Sequence, residues 1–182
     1  MAILSSPQSH GPLLRAIVEH VGDASVDRRT LLRTFCPGAD DEPALFSETL
    51  EVGTVLGVLE SRRKVSVKRR GDGGDIPSTI RSWLMHDAEV GEDLFAERAP
   101  GASDLLRGMC WLLSQDPTDG PITTKNFEER QRGLPREAII NVEQYRAVVR
   151  WSCWSGLASL VGRQNYRILP NLTTVVRLGT IR

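Results

Sequence analysis

The spacing of apolar residues predicts three helices in the first sixty positions. Over residues 12–21 apolar side chains recur every three or four positions, as on the buried side of an amphipathic helix. A second, shorter helix follows, with Ser25 or Asp27 as its N-cap and Pro37-Gly38 just after it. The third predicted helix covers about residues 43–60. The chain therefore begins as a small helical bundle.

The period changes after residue 60. Residues 64–68 alternate polar and apolar side chains, which predicts a half-buried strand with Val65 and Val67 facing the core. A glycine-rich turn follows at 69–74. Helix, short helix, longer helix, basic strand and turn is the order of a winged helix, in which the wing would be a hairpin around 64–74. No return strand is apparent after Gly74, so a plainer three-helix bundle is the alternative.

The rest of the chain predicts a second group of helices. Residues 88–101 are acidic and end in Pro100-Gly101, which is typical of a linker between a domain at 1–87 and another at 102–182. We expect a mainly α protein, with an N-terminal winged-helix-like module followed by a second helical module. For that second module a winged-helix-like fold is an alternative.

Four helices are predicted within 102–182. The first is capped by Ser103 or Asp104, the second covers about 126–132, and the longest covers about 141–162. Asn171 would cap a last helix. The sequence ends soon after that point, which is what a chain truncated at its C-terminus would show.

Charge is uneven along the chain, although the net charge is zero. Overall neutrality argues against a wholly basic nucleic-acid binder. Residues 62–81, however, carry seven basic and two acidic side chains, whereas 1–61 carry four basic and nine acidic ones. Residues 82–120 are again acidic and 121–182 basic. The field around 62–81 is therefore expected to be positive.

The basic segment is the strongest candidate for a binding site. With the valines of the predicted strand facing inward, its cations would face solvent, where they could contact successive phosphates of a duplex and release counterions. The preceding helix carries Glu48 and Glu51 and would make a poor recognition helix. Contact with double-stranded DNA would then be led by phosphates and weakly sequence-specific. The alternative is an ordinary solvated hairpin. The candidate DNA-binding residues are Arg62, Arg63, Lys64, Lys68, Arg69 and Arg70.

The sequence gives little support for metal binding, nucleotide binding or catalysis. His10, His20 and His86 are isolated, so no zinc-binding spacing is present, and no metal or other cofactor is expected. Gly71-Asp72-Gly73-Gly74 matches neither a P-loop nor a dinucleotide-binding loop, and its aspartate would repel phosphate. The acidic clusters lack the strand pattern of a metal-dependent nuclease. We expect no catalytic residues.

The expected location is the cytoplasm, without membrane attachment. No apolar run is long enough to span a bilayer, and no signal-peptide core is present. Cys36, Cys110 and Cys153 lie far apart and are odd in number, which fits buried thiols in a reducing compartment.

Several segments of the second half together resemble a known family. They are Leu105–Pro117 (LLRGMCWLLSQDP), Arg150–Trp154 continuing to Ala158, and Ile168–Asn171, joined by the opening Ile3–Pro7. The pattern is similar to the G component of the bacterial Dpd gene clusters, which insert 7-deazaguanine derivatives into DNA. The resemblance covers most of the chain but its motifs are apolar. It implies an accessory protein in DNA modification or phage defence, acting with larger partner proteins, and it transfers no catalytic residue.

Two functions from different classes follow. The first is an accessory DNA-binding protein that contacts phosphates through the basic segment and docks partners through its helical half. The second is a protein-interaction adaptor that binds no DNA, with Trp111, Trp151 and Trp154 as anchors of the partner-binding surface. An enzyme ranks last, because its site would have to be assembled from residues that show no local motif.

Overall fold

The computed structural model is mainly helical, as the sequence predicts, and it also contains two small sheets. It describes residues 3–6, 8–61, 63–67, 77–78, 103–134, 136–162, 166–171 and 173. The predicted linker at 88–101 lies outside the described residues. Those residues form five α-helices: α1 Gly11–Val21, α2 Arg28–Phe35, α3 Ala44–Val55, α4 Ser103–Leu113 and α5 Val142–Trp154. The strands are β1 Ser25–Asp27, β2 Leu59–Ser61, β3 Lys64–Val67, β4 Ala158–Leu160 and β5 Ile168–Pro170.

The first two helices lie where the pattern predicts them. Leu14, Ile17 and Val21 form the buried stripe of α1, and Gly22, with φ +53°, ends the helix. Asp27 is the N-cap of α2, because its carboxylate accepts a hydrogen bond of 2.9 Å from the amide of Arg29. Ser25, the other candidate cap, belongs to β1 instead.

The third helix is shorter than predicted. It ends at Val55 rather than near residue 60, because Gly57 takes a φ of +67° and turns the chain back. Residues 59–61 then form β2, a strand that the sequence analysis missed. Strand β3 agrees with the prediction, and Val65 is fully buried.

The hairpin also differs from the prediction. Its two strands are β2 and β3, paired antiparallel from Leu59 opposite Val67 to Ser61 opposite Val65. The strand that pairs with the basic strand in this hairpin therefore precedes it, whereas the sequence suggested a partner after Gly74. β1 pairs with the other edge of β3, which makes the order β1-β3-β2. Residues 68–76, including the predicted glycine-rich turn, lie outside the described part of the chain.

In the second half, too, a predicted helix is shorter in the structure and is followed by a strand that was not predicted. The predicted helix over 141–162 is α5, which begins after the N-cap Asn141 and ends at Trp154. Residues 158–160 form β4, paired antiparallel with β5. Ile122 bridges to Ile168 at the other edge of β5. The predicted helix over 126–132 consists of turns with one short 3-10 helix at Glu129–Gln131.

The two halves share one core. The backbone amides of Ile3 and Leu4 donate to the carboxylate of Asp104 at the start of α4, at 2.9 Å for Ile3. The indole nitrogen of Trp151 in α5 donates to the hydroxyl of Ser9 at 3.2 Å. Residues 3–10 thus tie α4 and α5 to the first half of the chain.

Candidate nucleic-acid interface

The turn of the first hairpin, β2–β3, presents two of the predicted cations to solvent. Arg63 and Lys64 are exposed, whereas the next residue, Val65, has no exposed surface. The amide of Arg28 donates to the carbonyl of Arg63 at 3.2 Å, which fixes this end of the hairpin against the start of α2. Arg62, Lys68, Arg69 and Arg70 lie outside the described residues.

A cleft of about 470 Å³ lies beside the hairpin turn. It is lined by both cationic and acidic side chains from β1, α2, the loop before α3 and the hairpin. The lining residues are Asp27, Arg28, Arg29, Leu32, Glu42 and Arg63. This cleft could not be read from the sequence, because its lining comes from three separate stretches of the chain.

Arg28 lies in the lining of this cleft, and hydrogen bonds hold its side chain in place. Its guanidinium donates to both carboxylate oxygens of Glu42, with Nε at 3.1 and 3.0 Å, and to the hydroxyl of Ser61 at 3.4 Å. The hydrogen bond with Glu42 raises the pKa of Arg28, and the negative charges of Glu42 and Glu51 act in the same direction. Arg28 therefore has a structural partner, and its charge is largely balanced within the cleft.

Two further arginines extend the positive surface along α2. Arg29 and Arg33 are one helical turn apart, and both are exposed. Arg29 and Arg63 line the same cleft, so a cation of α2 lies near a cation of the hairpin, with the carboxylates of Asp27 and Glu42 in the same lining. We call Arg29, Arg33, Arg63 and Lys64 the basic surface. The i, i+4 spacing of Arg29 and Arg33 was visible in the sequence, but they lie in a block of net negative charge.

Helix α3 adds no cation to this surface. Its sequence, ALFSETLEVGTV, contains no lysine or arginine. Glu51 is exposed, and the carboxylate of Glu48 accepts from the amide of Gln8 at 2.7 Å. The charge that could attract a phosphate backbone is therefore on α2 and the hairpin.

One comparison with known proteins decides the family. A family model described as DpdG-like matches residues 1–178 of the 182 residues. The chain belongs to the DpdG-like family. This confirms the resemblance drawn from the apolar segments of the second half, and it associates the chain with a Dpd-type DNA-modification system. No curated protein and no solved structure matches it.

Two of the three tryptophans predicted to bind a partner are internal in this DpdG-like chain. Trp111 and Trp151 retain 3% and 1% of their surface, so both belong to the chain's own core. Trp154 is half-buried and stands edge-on to Trp151, with ring centroids 5.4 Å apart. A role for the three residues in partner binding stays a prediction, and two of them offer no surface to a partner in this conformation.

His20 and the three cysteines are packed against neighbouring side chains of the DpdG-like chain. His20 packs edge-on against Phe35 at 5.5 Å, and all three cysteines are free and half-buried. Burial raises the pKa of the Cys153 thiol to about 11 and also raises that of Cys110, which makes both poor nucleophiles. Among the described residues, no group of three His, Cys, Asp or Glu side chains is placed to hold a metal ion. No helix in the same part of the chain has the length and apolarity needed to cross a membrane.

Proposed function

We propose that this DpdG-like chain is a non-catalytic accessory protein of a Dpd-type modification or phage-defence system, and that it binds double-stranded DNA through its first half. The observation that carries the proposal is the basic surface, where the exposed Arg63 and Lys64 of the hairpin meet the exposed arginines of α2. Family membership supports a role close to DNA.

The order of elements supports a winged-helix-like module. A helix, a strand, two helices and a hairpin follow one another, and the strand pairs with the last strand of the hairpin. In such a module the hairpin is the wing. Its cations would contact phosphates on both sides of a groove, while α3, which carries only acidic charge, would read few base edges.

The charges around the hairpin favour contact with phosphates rather than with an acidic protein pocket. Arg28 is neutralised by Glu42, so the cations left for a ligand are those of the basic surface. These charged groups are exposed and lie at the ends of long side chains. They can therefore contact successive phosphates along an extended nucleic-acid backbone. The association constant for duplex should therefore fall steeply as the salt concentration rises. Each phosphate contact should add about one to the negative slope of log K against log salt.

The test is the binding of the full chain to a fluorescent generic duplex over a salt series. We expect salt-sensitive binding that is lost when Arg62, Arg63, Lys64, Lys68, Arg69 and Arg70 are all changed to alanine. The matched control is Arg15→Ala, which removes an exposed cation of α1 whose side chain pairs with Glu19. Equal affinities of the wild type and the six-residue variant would contradict the proposal.

A partner-docking role is the second part of the proposal. Among the described residues of the second half, Ile140 and Leu160 are the most exposed large apolar residues, each with 60% of its surface accessible. These residues, with the half-buried Trp154, are the places where a larger partner protein would gain apolar contact. Co-purification with the other proteins of the same gene cluster should decrease for an Ile140→Ser, Leu160→Ser variant. Retention of every partner by that variant would exclude this surface.

A further inference from the structure

The second half of the chain repeats the fold of the first. Helices α1 and α4 both have 11 residues. Each is followed by an extended segment, a short helical region, a longer helix and an antiparallel hairpin. In both halves the extended segment pairs with the outer edge of the last strand: β1 with β3, and Ile122 with β5.

The C-terminal ends of α3 and α5 have the same backbone geometry. Gly57 and Gly156 follow the two helices with φ of +67° and +76°. The amide after each glycine donates back to a helix carbonyl: Val58 to Gly53 at 2.9 Å, and Leu157 to Ser152 at 2.8 Å. Strands β2 and β4 then begin two residues after their glycine.

The strand registers agree as well. In the first sheet Val65 lies between Ser61 on one side and Val26 on the other. In the second sheet Ile168 lies between Leu160 and Ile122. Both central residues are fully buried. This register assigns each strand position of the first hairpin a counterpart in the second, although two residues separate β2 from β3 and seven separate β4 from β5.

The counterpart of Lys64 is Arg167, because each directly precedes the buried central residue. Both are exposed. Their surroundings differ in charge. Lys64 lies opposite Asp27 in the sheet, whereas the residue after the Ile122 bridge is the neutral Thr123. At the corresponding place on the long helix, one residue before Val52 and Trp151, Glu51 is replaced by Arg150.

The second hairpin also holds an aromatic side chain in a fixed place. Tyr166 is 39% exposed and is the described non-glycine residue with a positive φ, +46°. Such a conformation is costly for a residue other than glycine, so the surrounding contacts must impose it. Here the hydroxyl of the buried Tyr145 donates to the carbonyl of Tyr166 at 2.8 Å, and the guanidinium of Arg146 lies 5.5 Å from the Tyr166 ring.

We infer that the hairpin β4–β5 is a second duplex-binding surface, in which Arg167 and Arg146 contact phosphates and the exposed Tyr166 ring packs against the sugar–base edge of the groove. This inference rests on the proposed function, since it assigns the same ligand to the second module. Arg146 pairs with Glu143 at 2.6 Å, and the two side chains are 39% and 58% exposed, so that a phosphate can compete with the carboxylate for the guanidinium. The two hairpins together would bind a longer stretch of duplex than either alone.

The test compares four proteins on one fluorescent duplex between about 50 and 200 mM salt. They are the wild type, Arg63→Ala with Lys64→Ala, Arg146→Ala with Arg167→Ala, and Arg132→Ala. Arg132 is the control, an exposed cation of the same half that pairs with Glu129 at 3.6 Å. We expect the second-hairpin variant to bind more weakly and to lower the salt slope by about one to two, because each lost phosphate contact removes about 0.9.

The outcomes separate this inference from the proposed function. Weaker binding by the first-hairpin variant alone would overturn the second surface and leave the first. Weaker binding by the second-hairpin variant alone would support the second surface and overturn the assignment of the first. No effect of either variant would overturn both. Arg167→Glu, a charge reversal at an exposed position, gives the same readout if the double variant does not fold.

Discussion

The indole nitrogen of Trp151 donates to the hydroxyl of Ser9, 142 positions away in the sequence. Ser9 is itself fully buried and donates to the carbonyl of Ser6 at 2.7 Å. This relationship joins the helix that carries Arg146 and Arg150 to the segment that leads into α1. The two modules are therefore held together by buried polar contacts as well as by apolar packing.

Replacing Ser9 with alanine should lower the free energy of unfolding by about 1 to 3 kcal/mol, because the buried indole N–H then has no acceptor. Urea denaturation of the full chain measures this. Ser47→Ala is the matched control, since that hydroxyl bonds only to nearby helix carbonyls at 3.3 and 3.4 Å. Equal losses in the two variants would mean that the Ser9–Trp151 contact contributes nothing specific.

Gly11 and Trp154 should be energetically coupled. A Cβ atom at position 11 would lie 2.3 Å from Cδ2 of Trp154, closer than any contact that could be accommodated without movement. Gly11→Ala should therefore cost about 1 to 3 kcal/mol, the range for overpacking. In a double-mutant cycle Trp154→Leu should remove most of that cost. Additive losses would contradict the close packing of α1 on α5.

The repeated fold predicts matched effects at its two helix ends. Gly57→Ala and Gly156→Ala should each destabilise the protein, by about 1 kcal/mol, because both positions require a left-handed backbone that alanine adopts poorly. Thermal denaturation of both variants checks this. A loss at one position with no change at the other would contradict the structural equivalence of the two halves.

Stability should fall in alkaline solution. The thiol of Cys153 has a pKa raised to about 11 by burial, from a usual value of about 9. A group whose pKa is higher in the folded state stabilises the protein fully below the unfolded pKa and loses this effect as the pH rises through the folded one. The free energy of unfolding should therefore decrease between pH 9 and 11.

The matched variant for that experiment is Cys153→Ala. It should show a smaller decrease over the same pH range, although Tyr145 and Cys110, whose pKa values are also raised by burial, contribute in the same direction. An identical pH dependence in the wild type and in the variant would show that the Cys153 thiol does not titrate in this way.

Much of the helical framework could be predicted from the sequence, because each helix carries a long apolar stripe. Strands β2 and β4 could not. They have three residues each, and their apolar members continue the spacing of the preceding helix, as Leu59 does after Val55 and Leu56. The main local signals were Gly57 and Gly156, which end the helices by adopting a positive φ.

The candidate site was only partly predictable for a related reason. The charge run around Arg63 and Lys64 is local, so the sequence indicates it directly. Arg29 joins it only through the pairing of β1 with β3, a contact between distant parts of the chain. The match between Lys64 and Arg167 likewise depends on strand register, which no sequence similarity between the two halves reveals.

The central claim is that duplex DNA lies on the basic surface of the first hairpin. The chain contains three lysines, Lys64 and Lys68 near that hairpin and Lys125 in the second half, so acetylation with and without duplex gives a simple footprint. Lys64 is exposed and should react readily in the free protein. With saturating duplex we predict strong protection of Lys64, and protection of Lys125 would report separately on the second half. Full reactivity of Lys64 in the presence of bound duplex would contradict the proposal.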